Sequence, residues 1–307
     1  MEECLKRLAR MNVFLAVCFV ATGCICAVAC RATSIEVTAI PAVLVVLLVL
    51  GAGYAPVPAY WHQKGRIDRR DAALVIPWCL LTWIVGAVPP IVAARLAFPL
   101  RDGLFFAMDR SLGFDGSRFL AWSAHLPAAG VISATYPLLI NYLEVAIVVP
   151  ALLGKRESVR FLLANTMAFL IGIGISAVMP AIGPWIGEPV HPSALQLAMQ
   201  TQLEAIRSQP VYRFSLMTDG AGIVAFPSFH VVWAVLAASA FWGWRWLRVP
   251  VALFSGMIVL STLTTGWHYL TDVLAGLALA ALVLYLAEKL MAAEAAVRRE
   301  EAARSGA

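Results

Sequence analysis

Charged residues are scarce in this chain. Only 13% of its 307 residues are Asp, Glu, Lys or Arg, whereas 61% are hydrophobic. Soluble domains average about 25% charged and about 45–50% apolar residues. The shortage of charge therefore excludes an ordinary soluble domain and favours a protein with several membrane spans.

Cysteines in paired spacings are also lacking. Four of the six cysteines lie in one apolar run, at positions 18, 24, 26 and 30, and the other two are Cys4 and Cys79. A disulfide framework or a zinc site needs paired spacings in loops. The cysteines are therefore predicted to be small residues buried in membrane helices.

A concentrated basic surface is missing too. The formal net charge is only +5, and the basic residues cluster between apolar runs rather than on one face. This distribution is typical of a membrane topology signal and excludes nucleic acid as a partner.

Eight apolar runs predict an all-α, polytopic membrane bundle of about eight transmembrane helices. They cover residues 11–30, 38–60, 72–97, 128–153 and 161–179, a run that starts near Ser228, and residues 249–264 and 269–290. Pro77 and the pair Pro89-Pro90 are expected to kink the third run. A cleaved signal peptide is the alternative for the first run, but its apolar core is usually only about 7–15 residues long.

The same pattern predicts that the chain is divided into three parts. Residues 1–71 are expected to form an N-terminal two-helix hairpin, residues 72–290 a six-helix core, and residues 291–307 a charged cytoplasmic tail. Residues 98–127 are too polar to span and predict a short interfacial helix and a loop. In the connection after the fifth run, Ser193 is expected to cap a short amphipathic helix that ends near Arg207.

The basic segments predict the orientation in the membrane. They are the N-terminus, residues 61–71, 154–160 and 244–248, and the tail. Eight spans place all of them on one side, which the positive-inside rule assigns to the cytoplasm. Residues 98–127, 180–227 and 265–268 are then outside, and His230 and His268 meet at the same outer surface.

Four polar residues at these helix ends form a candidate site. Asp272 follows His268 by four residues, one helical turn, so its carboxylate can fix the tautomer of that ring. Ser228 and His230 begin a helix after Pro227, where free backbone N–H groups favour an anion. The structural alternatives are a packing histidine and an ordinary helix start. Together the residues favour a site for a phosphate group.

The two segments resemble the motifs of a known family. The sequence Phe226-Pro227-Ser228-Phe229-His230 is similar to the Pro-Ser-x-His motif of the type 2 phosphatidic acid phosphatase (PAP2) superfamily. The sequence Thr265-Gly266-Trp267-His268-Tyr269-Leu270-Thr271-Asp272 is similar to its His-x-x-x-Asp motif. The resemblance covers about residues 72–290.

The resemblance implies a role for each residue. His268 would attack phosphorus and become a phosphohistidine, Asp272 would orient it, and His230 would protonate the leaving alcohol. Ser228 would bind phosphoryl oxygens. Neither a metal nor another cofactor is implied.

The chain departs from the family pattern in its cations. The Lys-x6-Arg-Pro motif is absent, and Thr262 stands where the third motif usually has arginine. The arginine-free form and the segment from Met108 to Asp115 instead resemble the inositolphosphotransferase, or inositol phosphorylceramide synthase, branch. Because a phosphoryl group needs positive charge, Arg213 is the first candidate and Arg110 the second. Asp109 is expected to bind a polyol hydroxyl or to pair with Arg110.

These observations predict an enzyme of the plasma membrane, with cytoplasmic termini and an outward-facing site. Its substrate would be a phospholipid or another lipid-linked phosphate, such as a prenyl diphosphate, which it hydrolyses or transfers. An inositol-phosphate-type head-group transferase is the alternative, and a non-catalytic transporter or scaffold is a remote one. The sequence gives no indication of the oligomeric state.

Overall fold

The computed structural model describes residues 2–186, 191–216 and 225–304 and is a helical bundle, which confirms the predicted class. The elements are α1 Glu2–Ala32, β1 Ile35–Thr38, α2 Ile40–Tyr54, α3 Pro56–Gln63, α4 Ile67–Ala73, α5 Val75–Gly86, α6 Val88–Arg95, α7 Asp102–Ser111, α8 Gly116–Ser123, α9 Ala129–Leu152, α10 Arg156–Val178, a 3-10 turn Pro184–Ile186, α11 Ala194–Ser208, β2 Tyr212–Ser215, α12 Phe229–Ala240, α13 Arg248–Thr264 and α14 Leu270–Arg304.

All eight apolar runs form helices, but with different lengths. Six segments within the described residues are long and apolar enough to cross a membrane: Phe14–Ala32, Ile40–Gln63, Val75–Arg95, Ala129–Leu152, Arg156–Val178 and Leu270–Ala296. The sixth and seventh predicted runs form the shorter apolar helices α12 and α13. The 12 residues of α12 give a length of only about 18 Å, against roughly 30 Å for the hydrocarbon core of a bilayer.

The short helix α12 lies at the centre of the bundle. It packs against α9, α10, α13 and α14. Val231, Ala234 and Leu236 have no exposed surface, as expected for a helix that is apolar on all sides. At the end of α12, Arg160 donates to the Ser239 carbonyl at 2.6 Å and pairs with Glu288 at 2.9 Å. His230, in the first turn of α12, is therefore held inside the bundle.

Prolines divide the third span as predicted. The chain breaks between α5 and α6 at Ala87, immediately before the segment that contains Pro89 and Pro90. A second break lies at Leu74, because a proline at position 77 cannot donate to the carbonyl of Ala73, four residues earlier. That carbonyl instead accepts a hydrogen bond from the Tyr54 hydroxyl at 3.1 Å.

A two-stranded parallel sheet joins the start of the chain to the segment before α12. Ile35 of β1 is opposite Tyr212 of β2, and Glu36 is opposite Arg213. Ile35, Tyr212 and Phe214 are buried with Ile206 of α11. The sequence analysis predicted no strand here, because two four-residue strands are too short to show a clear period.

Two further segments of the prediction, the amphipathic segment and the tail, are also helical in the structure. The predicted amphipathic helix is confirmed as α11, with Ser193 as its N-cap and Gln196 completing a capping box. The predicted tail is a continuation of α14, which runs as one helix from Leu270 to Arg304.

Gly276 allows α14 to approach the start of α12. A Cβ atom added at Gly276 would lie 2.7 Å from the Ser228 carbonyl oxygen and 3.0 Å from Cβ of Val231. Because backbone occupies this space, a larger residue must push the two helices apart.

We therefore expect Gly276→Ala to lower the free energy of unfolding by about 1–3 kcal/mol, as overpacking does in a closed core. The control is Gly256→Ala in α13, where an added Cβ would meet nothing within 4 Å. That change should be neutral or stabilise the helix by up to about 1 kcal/mol. Thermal unfolding in detergent measures both, and equal melting temperatures would contradict the close approach.

Candidate active site

Ser228 and His230 are positioned by the first turn of α12. The Ser228 side chain is the N-cap, and its Oγ accepts from the backbone N–H of Val231 at 3.4 Å. Ser228 is fully buried, whereas His230, one residue into the helix, is only partly buried. The predicted helix start is therefore present, and the hydroxyl hydrogen of Ser228 is left to donate elsewhere.

His268 lies in the predicted turn before α14, so it does not share a helix face with Asp272 as the spacing of four residues suggested. Its Nδ1 is 3.3 Å from Oδ2 of Asp272. The same oxygen accepts from the backbone N–H of Tyr269 at 3.0 Å. Asp272 thus occupies the third position of α14 and reaches back to the N-cap residue, the acidic half of a capping box. The His–Asp contact comes from this cap rather than from stacking of successive helical turns.

The two motifs are joined directly. The backbone N–H of Ser228 donates to the Asp272 carbonyl at 3.2 Å. The ring centroids of His230 and His268 are 5.9 Å apart, with 55° between the ring planes. The structure thus brings His230, His268, Asp272 and Ser228 together.

A cavity of about 510 Å³ opens beside both histidines. Its other walls are mostly apolar and aromatic, and include Trp83, Phe169 and Trp233. Ile140 of α9 and Leu195 of α11 also line it and are exposed, so the cavity reaches the surface of the bundle between these helices. Its size is in the usual range of small-molecule sites, about 300–1,000 Å³.

Tyr136 and Trp267 extend the histidine pair into an aromatic stack. The Tyr136 ring lies parallel to His230 with a centroid distance of 4.2 Å, and Trp267 stacks on Tyr136 at 5.8 Å. Trp185 packs edge-on against Trp267 at 5.5 Å. The sequence analysis missed these residues. Only Trp267 had a signal, its position next to His268, since α9 and the turn before α11 carry no motif.

Asp109, which belongs to α7, caps the start of α14. Its carboxylate accepts from the backbone N–H groups of Leu270 and Thr271, both at 2.8 Å, and from the Thr271 hydroxyl. Both carboxylate oxygens are therefore engaged with the protein. The structure gives Asp109 the position of a helix cap, and not that of a group directed at a polyol or paired with Arg110.

Asp102, seven residues earlier on α7, fixes the neighbouring chain. It accepts from the backbone N–H of Gly183 at 2.9 Å and from the Tyr269 hydroxyl at 3.2 Å. Tyr269 adjoins His268 directly. The two aspartates of α7 thus hold the turn that carries His268.

The structure separates the two candidate cations. Arg110 and His268 line one small cavity, together with Phe106, over whose ring the Arg110 guanidinium carbon lies at 4.5 Å. Arg213 is on β2, where its Nε is 2.9 Å from Oε2 of Glu36. Arg213 lines none of the cavities described next to His230 or His268. Of the two candidates, the structure therefore places Arg110 beside His268 and Arg213 on β2 next to Glu36.

Thr262, which stands where the third motif usually has arginine, lies inside the bundle. It is fully buried in α13, and its hydroxyl donates to the Val259 carbonyl at 2.7 Å. A guanidinium group at this position would lie inside the bundle without water. A cation for a phosphate group must come from another segment, as Arg110 does from α7.

Burial lowers the pKa of His268 to about 4, although the nearby Ala225 backbone, which favours a protonated ring, opposes the shift. The ring is therefore neutral at neutral pH. If Nδ1–H donates to Asp272, the lone pair remains on Nε2. Within residues 2–186, 191–216 and 225–304, no group of three or more His, Cys, Asp or Glu side chains is arranged to hold a metal ion.

We expect Asp109→Ala to destabilise the protein by about 1–3 kcal/mol, because it leaves buried N–H donors of α14 without an acceptor. The control is Asp115→Ala, which removes the cap of α8, where Asp115 accepts from the Arg118 N–H at 3.0 Å. That site is open to water, so its loss should be smaller. Thermal unfolding in detergent compares them, and a larger loss for Asp115→Ala would contradict the role of Asp109.

The family of the chain follows from comparison with known proteins. The model of the PAP2 superfamily matches residues 104–286, which contain α7 from Leu104 onward and both histidine motifs. No curated protein and no solved structure matches the chain. The match covers more than half of the 307 residues and includes every side chain that meets at the histidine pair. The chain belongs to the PAP2 superfamily.

Proposed function

We propose that the protein is a membrane phosphatase or phosphotransferase that acts on a lipid-linked phosphate through a phosphohistidine at His268. The observation that supports this most is the pair of imidazole rings 5.9 Å apart, one of them hydrogen-bonded to Asp272, in the wall of an apolar cavity. Membership of the PAP2 superfamily supports phosphatase-type chemistry in general.

In the first step, Nε2 of His268 attacks phosphorus, and the bond between phosphorus and the leaving oxygen breaks. The leaving oxygen takes the electron pair and a proton from His230. Asp272 stabilises the positive charge that develops on the His268 ring. In the second step, His230 takes a proton from water, the hydroxide attacks phosphorus, and the P–N bond breaks to release inorganic phosphate.

Three groups would bind the phosphoryl oxygens. Arg110 would supply positive charge from the cavity that it shares with His268. The backbone N–H groups at the start of α12 and the Ser228 hydroxyl would donate hydrogen bonds. Asp109 is left out of this set, since its carboxylate caps α14.

A lipid is the favoured substrate because the reacting histidines adjoin an apolar cavity in a membrane bundle. The distribution of basic loops favours cytoplasmic termini and a site at the outer face of the plasma membrane. A phospholipid or a prenyl diphosphate would then bring its phosphate to the histidines from that face.

Removal of either histidine should lower turnover strongly, but at different steps. With phosphatidic acid carrying radiolabelled phosphate, the wild type should form a transient labelled protein in rapid-quench experiments, and His268→Ala should form none. His230→Ala should lose about 10²–10⁴-fold in rate, the usual contribution of a general acid. His125→Ala, at an exposed histidine of the outer loop, is the control and should keep full activity.

Two results would overturn the assignment. One is full phosphate release by both His268→Ala and His230→Ala. The other is protein-bound label of the same amount and lifetime in His268→Ala and the wild type.

Arg110→Ala should lower kcat/KM by about 10²–10³-fold. In other enzymes, the loss of one hydrogen-bond donor to the negative charge of the transition state has an effect of this size. Arg118→Ala is the matched control, since Arg118 is on the neighbouring helix, is 88% exposed and pairs with Asp115 at 3.3 Å. Steady-state phosphate release measures both variants. Equal activity of Arg110→Ala and Arg118→Ala would remove Arg110 from the site.

Transfer of a head group to an alcohol is the second candidate. The segment from Met108 to Asp115 resembles the inositolphosphotransferase branch, and it supplies the arginine that lines a cavity with His268. Purified protein should be assayed with phosphatidic acid, a prenyl diphosphate and phosphatidylinositol, each with and without an alcohol acceptor. Phosphate release that does not depend on the acceptor would rule out obligatory transfer.

A further inference from the structure

A second cavity, of about 110 Å³, lies between α1, α5 and α10. Leu15, Cys18, Phe19 and Thr22 of α1 form one wall, and Trp78 and Thr82 of α5 form another. The walls are almost wholly apolar. Helix α1 lies outside residues 104–286, so this cavity is built partly by a segment that the family match does not include.

The two cavities share a wall. Gly86 of α5, and Phe169 and Ile173 of α10, line both of them. A Cβ atom added at Gly86 would lie 3.0 Å from Cε1 of Phe169. Gly86 and the Phe169 ring therefore meet between the two cavities, and a side chain at position 86 would press on that ring. We call this contact the Gly86–Phe169 junction.

The second cavity leads away from the histidines. Along α5 it extends from Gly86 back to Trp78, a distance of about 12 Å at 1.5 Å per residue. The histidines line the large cavity and not the second one. A tail that passed from the large cavity into the second would thus extend away from the reacting atoms and toward α1.

A mostly apolar cavity of this kind disfavours water, because water would find few polar partners there. If the cavity were empty, the atoms of its walls would lack dispersion contacts on that side. The solvent around the bundle is itself hydrocarbon, so a hydrocarbon chain is the occupant that the walls and the surroundings favour. A chain attached to a phosphate at His268 would enter from the large cavity.

We infer that the two cavities hold one hydrocarbon tail of the lipid substrate, and that α1 with the Gly86–Phe169 junction selects its length. The inference rests on the proposed function, since it takes the phosphate end of that lipid to lie at the histidines. It gives α1 a part in substrate selection. Short tails would end in the large cavity, and long tails would continue past Gly86.

The test fills the second cavity from α1. Thr22→Trp places a large ring in it, and Ala21→Trp places the same ring one residue away on an exposed face of the same helix. Phosphate release is measured with dioctanoyl and dioleoyl phosphatidic acid in mixed micelles at equal surface concentration. A parallel arm uses farnesyl and undecaprenyl diphosphate, which shows whether an acyl or a prenyl tail is held.

We expect Thr22→Trp to lower kcat/KM for the long-tailed substrate by about tenfold, the effect of modest overpacking. The short-tailed substrate and the Ala21→Trp protein should be unchanged. An unchanged ratio of long-tail to short-tail activity in folded Thr22→Trp protein would overturn the inference. A wild type that hydrolyses no lipid phosphate would instead overturn the proposed function.

A second measurement works on the wild type and needs no turnover. Phosphatidic acid with a diazirine near the end of its tail is photolysed in the bound state, and the adducts are mapped by mass spectrometry. We expect adducts at Leu15–Thr22 and at Trp78–Thr82, suppressed by excess unlabelled phosphatidic acid and not by phosphatidylcholine. Adducts there that phosphatidic acid does not suppress, or their absence, would overturn the tail site even if Thr22→Trp fails to fold.

Discussion

The capping of α14 is the interaction on which the candidate site depends. In a membrane protein, backbone N–H groups at a helix start must find acceptors inside the protein. Here the Asp109 carboxylate accepts hydrogen bonds from the N–H groups of Leu270 and Thr271, and Asp272 accepts one from the N–H group of Tyr269. Two carboxylates also suit the positive end of the helix dipole. Because these acceptors fill the start of α14, a phosphate would have to use the start of α12 and a side-chain cation instead.

The arrangement of helices follows from the same constraint. Polar side chains are tolerated where helices end, and the two histidines stand at such ends. α12 is surrounded by four other helices and closed at its far end by Arg160, so its start cannot shift independently. Ser228 binds the backbone of Asp272, and Gly276 lets the helices close on each other. The separation of the histidines is thereby set by packing as well as by hydrogen bonds.

Much of this could be predicted from the sequence, since long apolar runs, prolines and two short motifs are local signals. The helices, the broken third span and the meeting of His230 with His268 all follow from them. What could not be predicted depends on contacts between distant segments. Arg213 was preferred for its nearness in sequence to Ser228, yet a four-residue strand pairs it with Glu36. Asp109 carries no sign of which helix it caps, and Tyr136 lies in an ordinary apolar run.

The length of α12 has a consequence for any lipid that reaches it. A helix of about 18 Å covers little more than half of a hydrocarbon core of roughly 30 Å. In the proposed topology, the Arg160 end of α12 would lie near one membrane surface and its other end well below the opposite surface. On the proposed function, a phosphate that reached His230 would therefore leave the plane of the neighbouring head groups and most of their water. The protein would select lipids by how readily the phosphate sheds that hydration, which favours small head groups over bulky ones.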